Sequence, residues 1–165
     1  MHDYVLNRMR NCISEKVAPR VWKMESGLYR RIYYICDERG WPVSWLYLTQ
    51  RKGWKAWEVA QIWTFPEHRG KGHAETLYKA AVNSDGILLA SGNLHTQYSQ
   101  AMWRSFIRRN LFNVWAQDFK NLSATSLVSV DEDGQLECNL PIYINPGLRR
   151  PTTDVRLLAL RKETT

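Results

Sequence analysis

The sequence predicts an α+β fold, and three observations carry that reading. The first third is rich in short strand-like runs. One strand then leads through a Gly-rich basic loop into an amphipathic helix, and a strand–helix–strand series follows. In order, residues 1–26 are mixed, with Val17-Ala18-Pro19 breaking any regular element, and are read as a strand and a short helix. Leu28 to Cys36 and Val43 to Thr49 carry the Tyr, Ile, Trp and Leu of strands, joined by a hairpin turn at Asp37-Glu38-Arg39-Gly40. Lys55 to Phe65 is the next strand. Ala74, Leu77, Tyr78, Ala81 and Val82 recur at helical spacing, and Asn83-Ser84-Asp85-Gly86 ends that helix in a turn. Ile87 to Ala90 is a short apolar strand of the fully buried kind.

A second helix is predicted from Thr96, its N-cap, to Arg109. Tyr98, Met102, Trp103, Phe106 and Ile107 form its apolar stripe. Leu111 to Ala116 and Val155 to Arg161 are the last strands. Between them, 121–151 reads as a loop and hairpin elaboration turning at Asp131-Glu132-Asp133-Gly134. With 165 residues and no repeat, the chain is expected to be a single domain over 1–165.

Composition bounds the function. Hydrophobic residues make up 44% and charged ones 24%, an ordinary globular balance. No apolar run approaches membrane-spanning length and the start is not signal-like, so neither a membrane protein nor a secreted one is expected. Three dispersed cysteines, Cys12, Cys36 and Cys138, fit free thiols in a reducing cytoplasm. No Cys/His pair has ligand spacing, so no metal is expected. The net charge of +7 and eight tryptophans leave two readings open: a solvated basic face over core aromatics, or contact with nucleic acid.

The most specific stretch is Phe65-Pro66-Glu67-His68-Arg69-Gly70-Lys71-Gly72-His73-Ala74-Glu75. A strand, a Gly-rich basic loop and a helix start make a site for an anionic group. First-turn N–H groups and the positive end of the dipole face the loop, and Gly70 and Gly72 allow close approach and positive φ. The pattern fits neither G-x-G-x-x-G nor G-x-x-x-x-G-K-[ST]. It resembles motif A of the GNAT superfamily of acyl-CoA N-acyltransferases, in which Arg or Gln is followed after two residues by Gly-x-Gly/Ala. Here it reads Arg69-Gly70-Lys71-Gly72-His73-Ala74, preceded by Pro66-Glu67. The order of elements over roughly residues 28 to 161 is similar, although only 58 to 82 carry a specific motif.

The resemblance implies a mixed, mostly antiparallel twisted sheet of six to seven strands with helices on both faces. It implies acetyl-CoA as cosubstrate, its pyrophosphate on the amides of Arg69 to Ala74, its pantetheine arm pairing with backbone near Ile62 and Thr64, and Thr96 at the second helix. The acceptor would be an amine of a protein or small molecule, and a homodimer is a common arrangement in the superfamily.

Glu58 is the candidate general base. It stands eleven residues before Arg69, the offset of the strand glutamate in histone-type members, and it sits among Trp57, Val59, Ile62 and Trp63. The other reading is an outward glutamate paired with Lys55 or Arg51. In the family's second helix, Asn-x-x-Ala-x-x-x-Tyr ends on a Tyr that protonates the leaving thiolate. That register places Thr96 at the Asn and Trp103 at the Tyr, and an indole N–H is no acid near pH 7. Tyr98 is the alternative acid, against a role in the core or in an acceptor pocket. Leu89-Ala90-Ser91 through His95-Thr96 to Trp103 also resembles small GNAT-like proteins of bacteriophages, some of which act on DNA. That keeps nucleic-acid modification, and a catalytically silent CoA-binding protein, as alternatives.

Overall fold

The computed structural model describes residues 2–92, 97–120, 125–140 and 154–162. They divide into two compact units, Met1–Ile87 and Leu88–Thr165.

The first unit opens with helix α1 (His2–Asn11) and continues as a meander: β1 (Ser14–Ala18), β2 (Val21–Glu25), β3 (Arg30–Cys36), β4 (Pro42–Thr49) and β5 (Trp57–Thr64). Each strand pairs antiparallel with the next. β3 and β4 are buried on both faces, which explains why their sequences read as continuous apolar runs rather than alternating ones. Ile32 lies opposite Tyr47 and Tyr34 opposite Trp45, so these four share one face. With Val5 and Met24 they form a core that α1 covers through Tyr4, Leu6 and Met9. On the opposite face Tyr33 donates a hydrogen bond from its hydroxyl to Asp85, which also pairs with Lys23 at 3.2 Å and Arg31 at 3.3 Å. Asp85 follows α2 (His73–Lys79) and the wider turn Ala80–Ser84, so this cluster ties the end of that helical run to the sheet. Desolvation of the phenol, and then the neighbouring Asp85, push the Tyr33 pKa up.

The β3–β4 turn forms as its sequence predicts. Gly40 N–H donates to the Asp37 carbonyl, and the Asp37 carboxylate accepts the amides of Arg39 and Trp41, each at 2.9 Å. Gly40 has φ +81, the value a glycine supplies without strain.

In the second unit the strand order is β6 (Leu89–Ala90), β11 (Val155–Leu160), β7 (Asn113–Asp118), β8 (Thr125–Leu127), again antiparallel throughout. Helix α3 (Gln97–Arg108) contributes Trp103 and Phe106 to the core, with Phe112 against Phe106 at 5.3 Å between ring centroids. A two-stranded hairpin, β9 (Ser129–Val130) and β10 (Leu136–Glu137), turns at Gly134. The Arg108 guanidinium lies where a side chain at Gly134 would start, but the end of that long side chain can move aside, so it is φ +78 that favours glycine there. The buried Arg156 is held by both carboxylate oxygens of Asp154, at 2.9 and 3.2 Å.

The α+β class is as expected, but among the described residues the strands number five in the first unit and four in the order of the second, against six to seven expected. The surplus comes from β1, which is at most half-buried, and from three-residue β8 inside the stretch read as elaboration. Edge strands this short bury too little to carry a periodic apolar signal. The strand expected from Leu28 begins at Arg30, because Ser26-Gly27 forms a turn with φ +70 at Gly27 and leaves Leu28 exposed.

Candidate functional site

β5 brings the loop to the end of the first sheet. Its register against β4 shifts between Tyr47 and Leu48, which face Gln61 and Val59 and leave Ala60 as the extra residue of a bulge. Beyond the bulge Ser44 faces Thr64, whose hydroxyl meets that of Ser44 at 2.8 Å. Phe65 N–H then donates to the Val43 carbonyl, and Pro66–His68 makes one tight 3-10 turn.

Arg69 folds back on its own strand. Its Nε donates to the Thr64 carbonyl at 3.0 Å, and its guanidinium lies 5.2 Å from the centroid of the Trp63 ring. It therefore braces the loop, and it occupies one lone pair of a carbonyl expected to serve a ligand. Gly70 has φ +74 and Gly72 φ +75, and no heavy atom lies within 4 Å of where a Cβ would stand at either. Glycine is required there by conformation, and the space beside both is open. Gly72 caps α2, and its carbonyl accepts both Thr76 N–H and the Thr76 hydroxyl at 3.0 Å. The amides of His73, Ala74 and Glu75 are first-turn donors with no helical acceptor. An anionic group of pyrophosphate type fits this open, basic, donor-rich loop.

His73 is buried at 7% exposure, and its pKa lies below the usual imidazole value. Desolvation is the main cause, and the charges of Arg20, His68 and Lys71 add to it. Arg20 is the contribution that sequence reasoning missed. It sits in the β1–β2 turn with φ +67, and only the pairing of β1, β2 and β3 brings that turn to the loop's end of the sheet. Ile62 and Thr64 are half-buried at the strand's exit.

Glu58 stands at the opposite end of β5, across from Thr49. Its side chain is 19% exposed, and Oε2 meets Arg51 Nε at 3.3 Å. The alternative reading, pairing with Arg51, is thus realised, on a carboxylate that is nonetheless mostly covered. Tyr98 belongs to the second unit and is 79% exposed, which removes the core role considered for it. Trp103 is 1% exposed and packs edge-on against Phe106. Thr96 lies outside the described residues, as do Arg149 and Arg150. Of the tryptophans, Trp45, Trp57 and Trp103 are buried, while Trp22, Trp41 and Trp115 are exposed.

Among the described residues no group of three or more His, Cys, Asp or Glu is placed to hold a metal ion, and all three cysteines are free thiols. No helix there is long and apolar enough to cross a membrane.

No family model matches the chain, and no curated protein does. Among solved structures it is similar to a "putative acyl-CoA N-acyltransferase" from Klebsiella pneumoniae subsp. pneumoniae, at 13% identity and a TM-score of 0.41, over 80% of this chain and 72% of that one.

Proposed function

We propose that residues 1–165 serve as one acyltransferase domain that moves an acetyl group from acetyl-CoA to an amine of a protein or small molecule, in the cytoplasm and without a metal. The observation that carries this reading is the β5–α2 loop. Gly70 and Gly72 both take positive φ, open space lies beside them, α2 starts directly after Gly72 with its first-turn amides, and the charges of Arg20, His68 and Lys71 act on His73. A pyrophosphate on these amides would leave the pantetheine arm to run along β5, from Thr64 past Ile62 toward Glu58. Glu58 would take the proton of the acceptor ammonium, and the neutral amine would attack the thioester carbonyl. The C–S bond then breaks, and the departing thiolate takes a proton from Tyr98 or from water.

Acetyl-CoA titration tests the binding step. At 100 times Kd it should stabilise the protein by about 2.7 kcal/mol. Gly72→Asp places a side chain and a negative charge in the loop and should abolish that gain while the apo protein still melts cooperatively. A gain of equal size in Gly72→Asp would remove the basis of the assignment. Binding without turnover on a broad panel of amines would favour the silent CoA-binding reading, which Trp103, sealed in the core, supports. Exposed Trp22, Trp41 and Trp115 on a chain of net charge +7 support the nucleic-acid reading, and steeply salt-dependent affinity for nucleic acid would favour it.

A further inference from the structure

The end of β5 that carries Glu58 is strongly basic. Across α1, β3, β4, β5 and the β4–β5 hairpin of residues 50–56, two acids, Asp3 and Glu58, stand against seven basic residues. Three of those seven, Arg51, Arg30 and Arg8, lie on Glu58's side of the sheet. Arg51 is in contact with it. Its Nε meets the carboxylate at 3.3 Å, and its guanidinium lies 4.6 Å from the centroid of the Trp54 ring. The Arg51 side chain is still 53% exposed, and Glu58 uses only part of a guanidinium's five N–H donors. Donors for a second anion remain beside the carboxylate.

Strand register brings in Arg30. Glu58 lies across from Thr49 and Thr49 across from Arg30, so the three share one sheet face, the face that α1 covers. Arg30 is two strand spacings from Glu58, about 10 Å between backbones. It is exposed and donates from Nη1 to the Tyr4 hydroxyl of α1 at 2.6 Å. The Arg8 guanidinium, also exposed, lies 5.3 Å from the centroid of the same ring. Neither Arg30 nor Arg8 meets a carboxylate among the described residues. Burial alone would raise the Tyr4 pKa, yet the hydrogen bond and charge of Arg30, then those of Arg8, hold it below the usual phenol value. Positive potential therefore accumulates where Glu58 would receive an ammonium. Such a site repels a polycationic acceptor and draws in an amine that also bears an anion.

We propose that the acceptor is a small amine bearing a carboxylate or phosphate a few bonds from its nitrogen, with the ammonium at Glu58 and the anion held by Arg51 and Arg30. The inference rests on the acyltransferase reading and makes Arg51 and Arg30 its specificity-determining residues. The test measures kcat/KM with acetyl-CoA for β-alanine, phosphoethanolamine, propylamine and diaminopropane, each corrected for its fraction of neutral amine. The first two separate a carboxylate from a phosphate as the anion. The better of them should exceed propylamine about 10-fold or more, and the diamine should be the poorest acceptor. Arg51→Gln and Arg30→Gln should each narrow the ratio of anionic to uncharged acceptor about 10-fold, mainly through KM. Arg30→Glu should turn the preference toward the diamine, with apo melting as the folding control for all three variants. If the diamine matches the anionic amines, or both glutamine variants keep the wild-type ratio, the inference is overturned and the acyltransferase reading stands. A protein that binds acetyl-CoA yet acetylates no amine of the panel overturns it too. Preferred acetylation of a short oligonucleotide would assign the basic face to nucleic acid instead. If wild type binds no acetyl-CoA, the acyltransferase reading itself fails.

Discussion

The β5–α2 loop and helix α3 stand on either side of the division between the two units, and they treat their most informative side chains in opposite ways. In the first unit, the loop that carries the recognisable pattern is exposed, braced by Arg69 and kept clear around Gly70 and Gly72. In the second, the residue at the expected proton-donor position is Trp103, closed into the core with Phe106, while Tyr98, the alternative acid, is exposed. The first arrangement suits holding a ligand and the second suits holding a helix. On the proposed reading, binding and chemistry are thus carried by separate parts of the chain, and mutations can be aimed at one or the other.

The largest expected effect is at Glu58. Glu58→Gln keeps size and hydrogen bonding but accepts no proton, so turnover near neutral pH should fall roughly 10²–10⁴-fold with little change in acetyl-CoA affinity. Part of the loss should return at higher pH, where more of the amine is already neutral. An unchanged rate would leave Glu58 a structural role, of which the pair with Arg51 is part.

Trp103 sharpens the comparison from the other side. Trp103→Ala should destabilise by about 3–5 kcal/mol, because a fully buried indole leaves a cavity behind. Trp103→Phe should retain most stability and nearly all turnover. A large loss of turnover in a stable Trp103→Phe protein would contradict a packing role.

Tyr98→Phe comes next, at about 10-fold in turnover if its hydroxyl is the acid. If Glu58→Gln and Tyr98→Phe both turn over like wild type, positioning alone drives aminolysis and neither residue has the proposed role.

The smallest effect concerns pH. The fold holds His73 below its ordinary value, so it favours the neutral imidazole. Its contribution to stability is therefore present above about pH 6.5 and is lost as pH falls through the lowered folded value. Chemical denaturation of the apo protein at pH 7.5 and pH 5 should show this loss, and His73→Gln should reduce it. Saturating acetyl-CoA should oppose it, because bound anionic phosphates offset Arg20, His68 and Lys71.

What could be read in advance follows local chemistry. β3, β4, β5, helices α2 and α3 and the turns at Asp37–Gly40 and Asp131–Gly134 were legible because apolar period, Asx chemistry and glycine act within a few residues. β1 and β8 were not, since an edge strand's pairing depends on its neighbour more than on its own side chains. At the candidate site, the exposed loop with positive φ at Gly70 and Gly72 was legible from one contiguous motif. Arg20 and the Arg51 partner of Glu58 were not.

By itself, then, the sequence determined the α+β order and the loop's conformation, because each is set by short-range sterics and local backbone geometry. Tertiary structure alone decided that Arg20 joins His73, that Arg51 reaches Glu58, and that Trp103 is sealed while Trp41 stays in water. Those outcomes depend on strand register and on which face a helix covers, and register is set by the summed packing of the whole sheet rather than by any one residue.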